Sequence, residues 1–351
     1  MSFSLKNILI CGGSGFIGSH FIRHLYNKYP EYRIVNLDLL TYAGNNSNIQ
    51  DIAEQASKLP PDECRYQFVK GDICDSALLE KLFRQYNFSV VVNFAAESHV
   101  DRSIVSAHNF IRTNIQGAHA IVEAARTHKV PKFIQISTDE IYGDVAKGFS
   151  HEESPIRPSN PYAASKSSAD VLMQAFMRTH RAPIIIFRSS NNLGPNQYPE
   201  KLIPLTISSF LENDKVPVHG NGQHIRSWIY VKDFCQALDL VMHQAPLYSI
   251  YNVSGNQKTN LEIIKAIAGI LGKDANRHVV FTNDRPGADL RYAPSSDKIR
   301  RELGWAPHYD FNSALKETVQ WYVENPNWWK VIRDSEVFQS HYQKQSKAEY
   351  Y

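Results

Sequence analysis

The chain has 351 residues, 43% of them hydrophobic and 21% charged, the balance of a polypeptide that buries a real core, which excludes disordered and fibrous classes. Thirty-eight Lys plus Arg against 35 Asp plus Glu leave a formal charge of +3, too small and too dispersed for a nucleic-acid surface. At about 150 residues per domain the length implies two domains, or one large α/β unit with a smaller lobe.

The first apolar run, residues 7–11, leads straight into a glycine cluster with no A-x-A cleavage site. It reads as a strand and not as a signal peptide, and a cytoplasmic protein is expected. Later apolar runs such as Val90-Val91-Val92 fall far short of the roughly 18 residues a membrane span needs, so no membrane partner is expected. Cys11, Cys64, Cys74 and Cys235 stand far apart with no C-x-x-C pair. They are expected as reduced thiols, and no metal site is expected.

Through residue 190 short β-rich runs alternate with amphipathic helical patterns. Strands are predicted at 7–11, 33–38, 66–70, 89–94, 132–136 and 183–188, and helices at 16–28, 76–86, 107–129 and 160–180. Repeated βαβ units predict an α/β fold, a Rossmann-type doubly wound parallel sheet. Beyond Arg188, Gly194-Pro195, Pro199, Pro204, Pro217 and Gly220-Asn221-Gly222 break the alternation, which predicts a smaller substrate-binding lobe over 191–330. A segment near 225–255 is expected to return to the first domain. Helices are predicted at 233–243, 260–271 and 311–325. Residues 331–351 form a C-terminal tail whose polar end, 339–351, is expected to fray.

Gly12, Gly15 and Gly18 give G-x-x-G-x-x-G between the first strand and the first helix. Such glycines permit a tight turn and close approach to a pyrophosphate, whose charge sits at the helix N-terminus where Phe16 and Ile17 offer amides. Asp38 ends the second strand twenty residues after Gly18, where an acid takes the adenosine ribose hydroxyls and repels a 2′-phosphate. Leu39 and Leu40 follow in place of arginines, so the expected cofactor is NAD. Asp72 and Ile73, just past the third strand, are expected around the adenine.

Tyr162 and Lys166 form Y-x-x-x-K near the start of a helix, one turn apart on one face. A nearby ammonium lowers a phenol's pKa, so this tyrosine is expected to accept a proton from a sugar hydroxyl. By itself the pair is also common surface decoration. Thr138-Asp139-Glu140 follows an apolar strand, at the edge where open α/β sheets bind ligands. A plain helix N-cap is the alternative there.

Together these motifs resemble the extended short-chain dehydrogenase/reductase superfamily and, within it, the nucleotide-sugar 4,6-dehydratases, nearest to the branch acting on dTDP-glucose. The resemblance runs from about residue 5 to residue 329. It is carried by Gly12 to Gly18, Ala95-Ala96-Glu97-Ser98-His99-Val100-Asp101, Ser137 to Gly143, Tyr162 to Lys166, Ser190-Asn191-Asn192, Pro199 to Pro204 and Asp284-Arg285-Pro286-Gly287.

The resemblance implies that Tyr162 deprotonates the 4-hydroxyl as C4 hydride passes to NAD. Glu140 then takes the C5 proton, Asp139 protonates the departing C6 hydroxyl, and hydride returns to C6. Thr138 would hydrogen-bond the 4-oxygen and Lys166 the nicotinamide ribose. It further implies coenzyme contacts from Leu39, Thr41, Ala95, Ala96, Thr113 and Asn192. For the nucleotide sugar it implies Ser98, Thr138, Asn191, Lys201, Leu202, Pro217, Val218, His219, Arg226, Asn260 and Asp284 through Ala288, Arg285 among them, with Arg226 and Lys201 as the cations for its diphosphate. A homodimer through a four-helix bundle of helices 107–129 and 160–180 is similarly implied, as is a place in rhamnose or other deoxysugar synthesis.

The sequence departs from that pattern at Ala288, Leu290 and Ser227, where family members carry histidine, arginine and aspartate. All three concern the nucleotide end. A UDP-sugar dehydratase, a UDP-sugar 4-epimerase or decarboxylase, and a non-catalytic NAD-bound scaffold therefore stay open. The adjacent acids Asp139 and Glu140 weigh against the epimerase, since moving hydride off and onto C4 needs neither. Trp228 and Tyr230 alternate with Ile229 and Val231, which predicts strand packing and not base stacking.

Overall fold

Apolar alternation puts successive strand residues on opposite faces, and in this chain both faces are apolar. The computed structural model describes residues 7–60 and 63–347; residue 5, where the family resemblance begins, and the tail beyond 347 lie outside them. Its strands are β1 (Asn7–Cys11), β2 (Arg33–Asp38), β3 (Tyr66–Lys70), β4 (Val90–Asn93), β5 (Lys132–Thr138), β6 (Ile184–Ser189), β7 (Asn191–Leu193), β8 (Val216–His219), β9 (Ile225–Tyr230), β10 (Ser249–Val253), β11 (Asn256–Thr259) and β12 (Val279–Thr282).

Seven of them form one sheet in the order β10-β6-β5-β4-β1-β2-β3, and every pairing in it is parallel. Ile8, Ile10, Ile34, Val90, Val92 and Ile134 face one apolar core. Leu9, Cys11, Val35, Leu37, Val91 and Phe133 face another. That is the α/β, Rossmann-type arrangement, helices covering both faces of a buried sheet. The strand order reverses between β1 and β4, so the crevice opens beyond their carboxyl ends.

β10 joins the large sheet beside β6, whereas β9 pairs with β7 and β11 in a three-stranded sheet. β8 and β12 form a two-stranded one. Trp228 and Tyr230 are buried in β9.

Helices Gln50–Ser57, Val100–Val105, Leu202–Leu211 and Asp297–Leu303 are not among those expected, and two further stretches differ from expectation. The stretch predicted at 107–129 is a run of His108–Phe110, a π-helical Ile111–Gly117 and Ala118–Thr127. The wider turn lets Asn114 accept from the Glu97 N–H at 2.9 Å and donate to the Ser165 hydroxyl at 2.8 Å. The C-terminal end does not fray within the described residues: Pro326–Arg333 and Glu336–Lys347 are helices. Phe338, His341 and Gln345, spaced by three and four, bury one face of the second. Among the described residues no helix is long and apolar enough to cross a membrane.

Candidate active site

A cleft of about 430 Å³ runs from the carboxyl ends of β1 and β2 into the smaller lobe. Its coenzyme end starts at the glycine turn. Gly12 has φ +78°, and a Cβ there would lie 2.6 Å from the Ala95 nitrogen. A Cβ on Gly18 would lie 2.3 Å from the Gly12 carbonyl oxygen. These two glycines hold β1, the β4 loop and the first helix in contact, while Gly15, with 3.3 Å to its nearest neighbour, leaves the approach to the helix N-terminus open. Gly15 caps helix Phe16–Lys28 without a side-chain hydrogen bond, so the first-turn amides, Phe16 and Ile17 among them, have no intrahelical acceptor.

Asp38 is buried at the end of β2, its carboxylate accepting the Ser14 N–H at 2.9 Å and the Leu40 N–H at 2.8 Å. Burial raises its pKa, and these two donors oppose the rise. Asp72 accepts the Cys74 N–H at 2.8 Å and pairs with Arg112 at 2.6 Å. Burial pushes this carboxyl up, but the two partners outweigh it and leave it below its ordinary range. Leu39, Thr41, Ile73, Ala95, Ala96, Thr113 and Asn192 line the same end.

The chemistry-bearing residues gather at the end of β5. That strand runs two residues past its predicted end, so Thr138 closes it. The threonine hydroxyl accepts the Glu140 N–H at 3.3 Å, capping the short turn Asp139–Tyr142. Capping and a place in the cleft coexist in one side chain. Asn160 caps helix Pro161–His180, and Tyr162 and Lys166 project from its first turns into the cleft wall. Lys166 Nζ donates to the Ile136 carbonyl at 2.7 Å. Burial pushes its ammonium down to about 8.

The expected depression of Tyr162 is not found in the protein alone. Burial raises its pKa and Glu140 raises it further, opposed by a Thr138 hydrogen bond. The Lys166 ammonium is spent on Ile136, and burying a phenolate costs more than that cation returns.

The adjacent acids sit in different fields. Asp139 is 2% exposed, and its Oδ2 has no hydrogen-bond partner among the described residues. Burial, then the Glu140 charge, push it up to about 8. Glu140 is half-buried. Burial raises it also, but Arg226, Lys201 and Arg285 pull it back. Unequal environments thus favour the acid form at Asp139, while at Glu140 three cations oppose the rise.

In the smaller lobe Arg226 lies over the Tyr292 ring at 4.2 Å and donates to the Asp289 carbonyl at 2.9 Å. Lys201 Nζ donates to the Ser98 carbonyl at 2.6 Å, and Arg285 Nε lies 3.1 Å from Asp101. Asn191, Leu202, Pro217, His219, Asn260 and Asp284 complete the wall. Every candidate coenzyme, substrate and catalytic residue named from the sequence thus lines one cleft; Ser227 and Leu290, the departures from the family pattern, do not. Arg291 does not replace the arginine absent at Leu290: it is bound to Gln257 and to the Val145 and Gly148 carbonyls.

Sequence reasoning passed over several lining residues. Tyr292 donates to Asp289 at 2.7 Å and its hydroxyl stands 3.5 Å from Glu140. Glu200, His99 and Gln345 also line the cleft. His99 and Glu200 lie inside two of the motifs that carry the family resemblance, whereas Gln345 carried no local signal, since the face it shares with Phe338 and His341 is polar at two of three positions.

The family model described as GDP-mannose 4,6 dehydratase matches residues 9–318. A dTDP-glucose 4,6-dehydratase of Neisseria gonorrhoeae is 46% identical over 342 residues, 91% of this chain and 96% of that one. The solved dTDP-glucose 4,6-dehydratase of Streptomyces venezuelae, crystallised with NAD, superposes with a TM-score of 0.88 at 40% identity, covering 93% of this chain and 100% of its own. The UDP-glucose 4-epimerase of Thermus thermophilus, also with NAD, gives 0.81 at 27% identity over 91% of this chain and 100% of its own.

Proposed function

Because the chain belongs to the dTDP-glucose 4,6-dehydratase family, we infer that it is an NAD-dependent hydro-lyase converting dTDP-glucose to dTDP-4-keto-6-deoxyglucose and water. The glycine cradle, which a Cβ at Gly12 or Gly18 would fill, and the Asp38 carboxylate fit a dinucleotide diphosphate and an unphosphorylated ribose. NAD supplies, when bound, the hydride acceptor for C4 and the donor for C6.

The protein's own groups handle the protons. Tyr162 takes the proton of the 4-hydroxyl, and the Thr138 hydroxyl hydrogen-bonds the 4-oxygen as charge develops on it. Lys166 holds the nicotinamide ribose and returns positive charge to the tyrosine in the loaded site. Once C4 is a ketone the C5 proton is acidic, and Glu140, whose charged form Arg226, Lys201 and Arg285 favour against its burial, accepts it. Asp139, kept protonated by burial, gives its proton to the 6-hydroxyl, which departs as water. Arg226, Lys201 and Arg285 hold the diphosphate.

The observation that carries this reading is the unequal acid pair beside Tyr162. The epimerase alternative uses no such pair. We assign the coenzyme to residues 1–190 with returning strand β10, and the sugar nucleotide to the lobe 191–330. Four unpaired cysteines support a reducing, cytoplasmic setting. The test is the double variant Asp139→Asn, Glu140→Gln: with dTDP-glucose it should slowly reduce its bound NAD yet release no 4-keto-6-deoxy sugar. Parental turnover would remove both acids from their roles.

A further inference from the structure

Phe338, His341 and Gln345 share one face of helix Glu336–Lys347 and all three are buried. Phe338 packs near Tyr198, ring centroids 6.4 Å apart. His341 meets the His99 ring edge-on at 4.8 Å. Gln345 Nε2 donates to the Glu200 carbonyl at 3.2 Å, and His99 Nε2 approaches the same oxygen at 3.4 Å. That carbonyl belongs to the peptide joining Glu200 to Lys201. The next hydrogen bonds along the chain are Lys201 N–H to the Tyr198 carbonyl at 3.2 Å and Lys201 Nζ to the Ser98 carbonyl.

This helix lies beyond residue 318, where the family model ends, yet Gln345 forms part of the cleft wall. It is fastened from outside as well: Arg333 pairs with Asp214 at 2.8 Å just before it. His99, Glu200 and His341 bring ligand-type atoms within 4.8 Å of one another. Arg102 already holds Glu200 at 2.9 Å, however, and Lys201 stands beside it as a second cation. The histidines, held neutral by burial, therefore serve as packing partners.

We propose that the C-terminal helix is part of the substrate site, with Gln345 a positioning residue that fixes the Glu200–Lys201 peptide and so sets the Lys201 ammonium in the cleft. The proposal rests on the dehydratase reading, in which Lys201 faces the sugar diphosphate. It has a second consequence, because Lys201 also lowers the pKa of Glu140. Glu140 is faced by Arg226, Lys201, Arg285 and Asp289, by Tyr292, and by its neighbours Asp139 and Tyr162. If Lys201 drifts away, Glu140 holds its proton to higher pH.

The test compares the parent, Gln345→Ala, a chain ending at Asp334, and Gln343→Ala on the exposed face of the same helix. Gln345→Ala should raise KM for dTDP-glucose and Kd for dTDP about three- to tenfold, the loss of one buried neutral hydrogen bond. The shortened chain should do so at least as strongly. In both, kcat at the pH optimum and bound NAD should stay near parental, while the acid limb of kcat/KM moves to higher pH. Gln343→Ala should match the parent. Folded Gln345→Ala and shortened chains with parental KM, Kd and pH profile would overturn the proposal, as would a fall in kcat alone. A parent that leaves dTDP-glucose unchanged would instead overturn the functional reading, while dTDP affinity still reports on Lys201.

Discussion

Asp139 is worth more to the reaction than to the fold, and the two effects have opposite signs. In the unfolded chain it ionises near its ordinary pKa of 3.8, whereas folded it keeps its proton to about 8. The folded state therefore binds the extra proton between those values, and stability falls as pH rises through that window. Asp139→Asn removes this cost, so at pH near 7.5 the variant should melt above the parent by calorimetry. Its dehydration rate should fall by about 10²- to 10⁴-fold, the usual contribution of a proton-transfer group. A lower melting temperature would contradict the buried, protonated state.

The same assignments shape the pH profile. Dehydration needs Asp139 protonated and Lys166 charged, and both are pushed to about 8. Activity should therefore decline above about pH 8, in a stopped assay of the 4-keto product. The acid limb reports Glu140, which must be ionised and whose pKa is raised. The resemblance already implied Asp139 as the acid and Glu140 as the base, but the physical cause was not legible in the residues. It lies in the burial of Asp139 and in Arg226, Lys201 and Arg285, brought to Glu140 from distant parts of the chain.

At the scale of elements, the glycine turn makes separable predictions. Gly12→Ala forces a side chain onto a φ of +78° and against the Ala95 backbone, so it should both destabilise the chain and strip it of NAD. Gly15→Ala meets only the Gly12 carbonyl oxygen at 3.3 Å, so it should fold and melt near the parent while binding NAD more weakly. Calorimetry and the NAD released on denaturation measure both. Equal melting losses in the two variants would mean that Gly15 serves packing.

Strands β1 to β6, most of the long helices and the glycine turn were readable because their apolar periods and punctuation are local, whereas the short strands β7, β8, β11 and β12 and helix Leu202–Leu211 of the smaller lobe were not. The π-helical turn at Ile111–Gly117 was not, since one extra residue in a helix leaves the apolar pattern almost unchanged. Its cause is long-range: Asn114 ties the β4 loop to Ser165 on the Tyr162 helix, and a Cβ on Gly117 would strike Ile73. Helix Glu336–Lys347 was misjudged because its buried face, Phe338, His341 and Gln345, is two-thirds polar, and only the contacts across the fold make those side chains core.

For the whole molecule, we propose a second copy as the partner. Ile111, in the π-helical turn, and Val171, on the Tyr162 helix, are exposed, on the two stretches whose outer faces the proposed four-helix bundle would cover. Ile111→Asp with Val171→Asp should convert a dimer to monomer in light scattering, with NAD content retained. A parent that is itself monomeric would refute the bundle. Of the departures at Ala288, Leu290 and Ser227, Ala288 lines the cleft, whereas Leu290 is exposed and Ser227 is buried with its hydroxyl on the Tyr292 carbonyl. Ala288 is therefore the position through which we propose base preference can differ from that of the relatives.

The most direct measurement adds no coenzyme. The purified protein is given dTDP-glucose, UDP-glucose or UDP-N-acetylglucosamine separately, and each sugar nucleotide is followed by mass spectrometry. The predicted result is loss of one water from dTDP-glucose, sustained over many turnovers by NAD that stays bound. Interconversion of any donor with its 4-epimer at unchanged mass, with no water lost from dTDP-glucose, would contradict the assignment of Asp139 and Glu140 and the dehydratase reading with it.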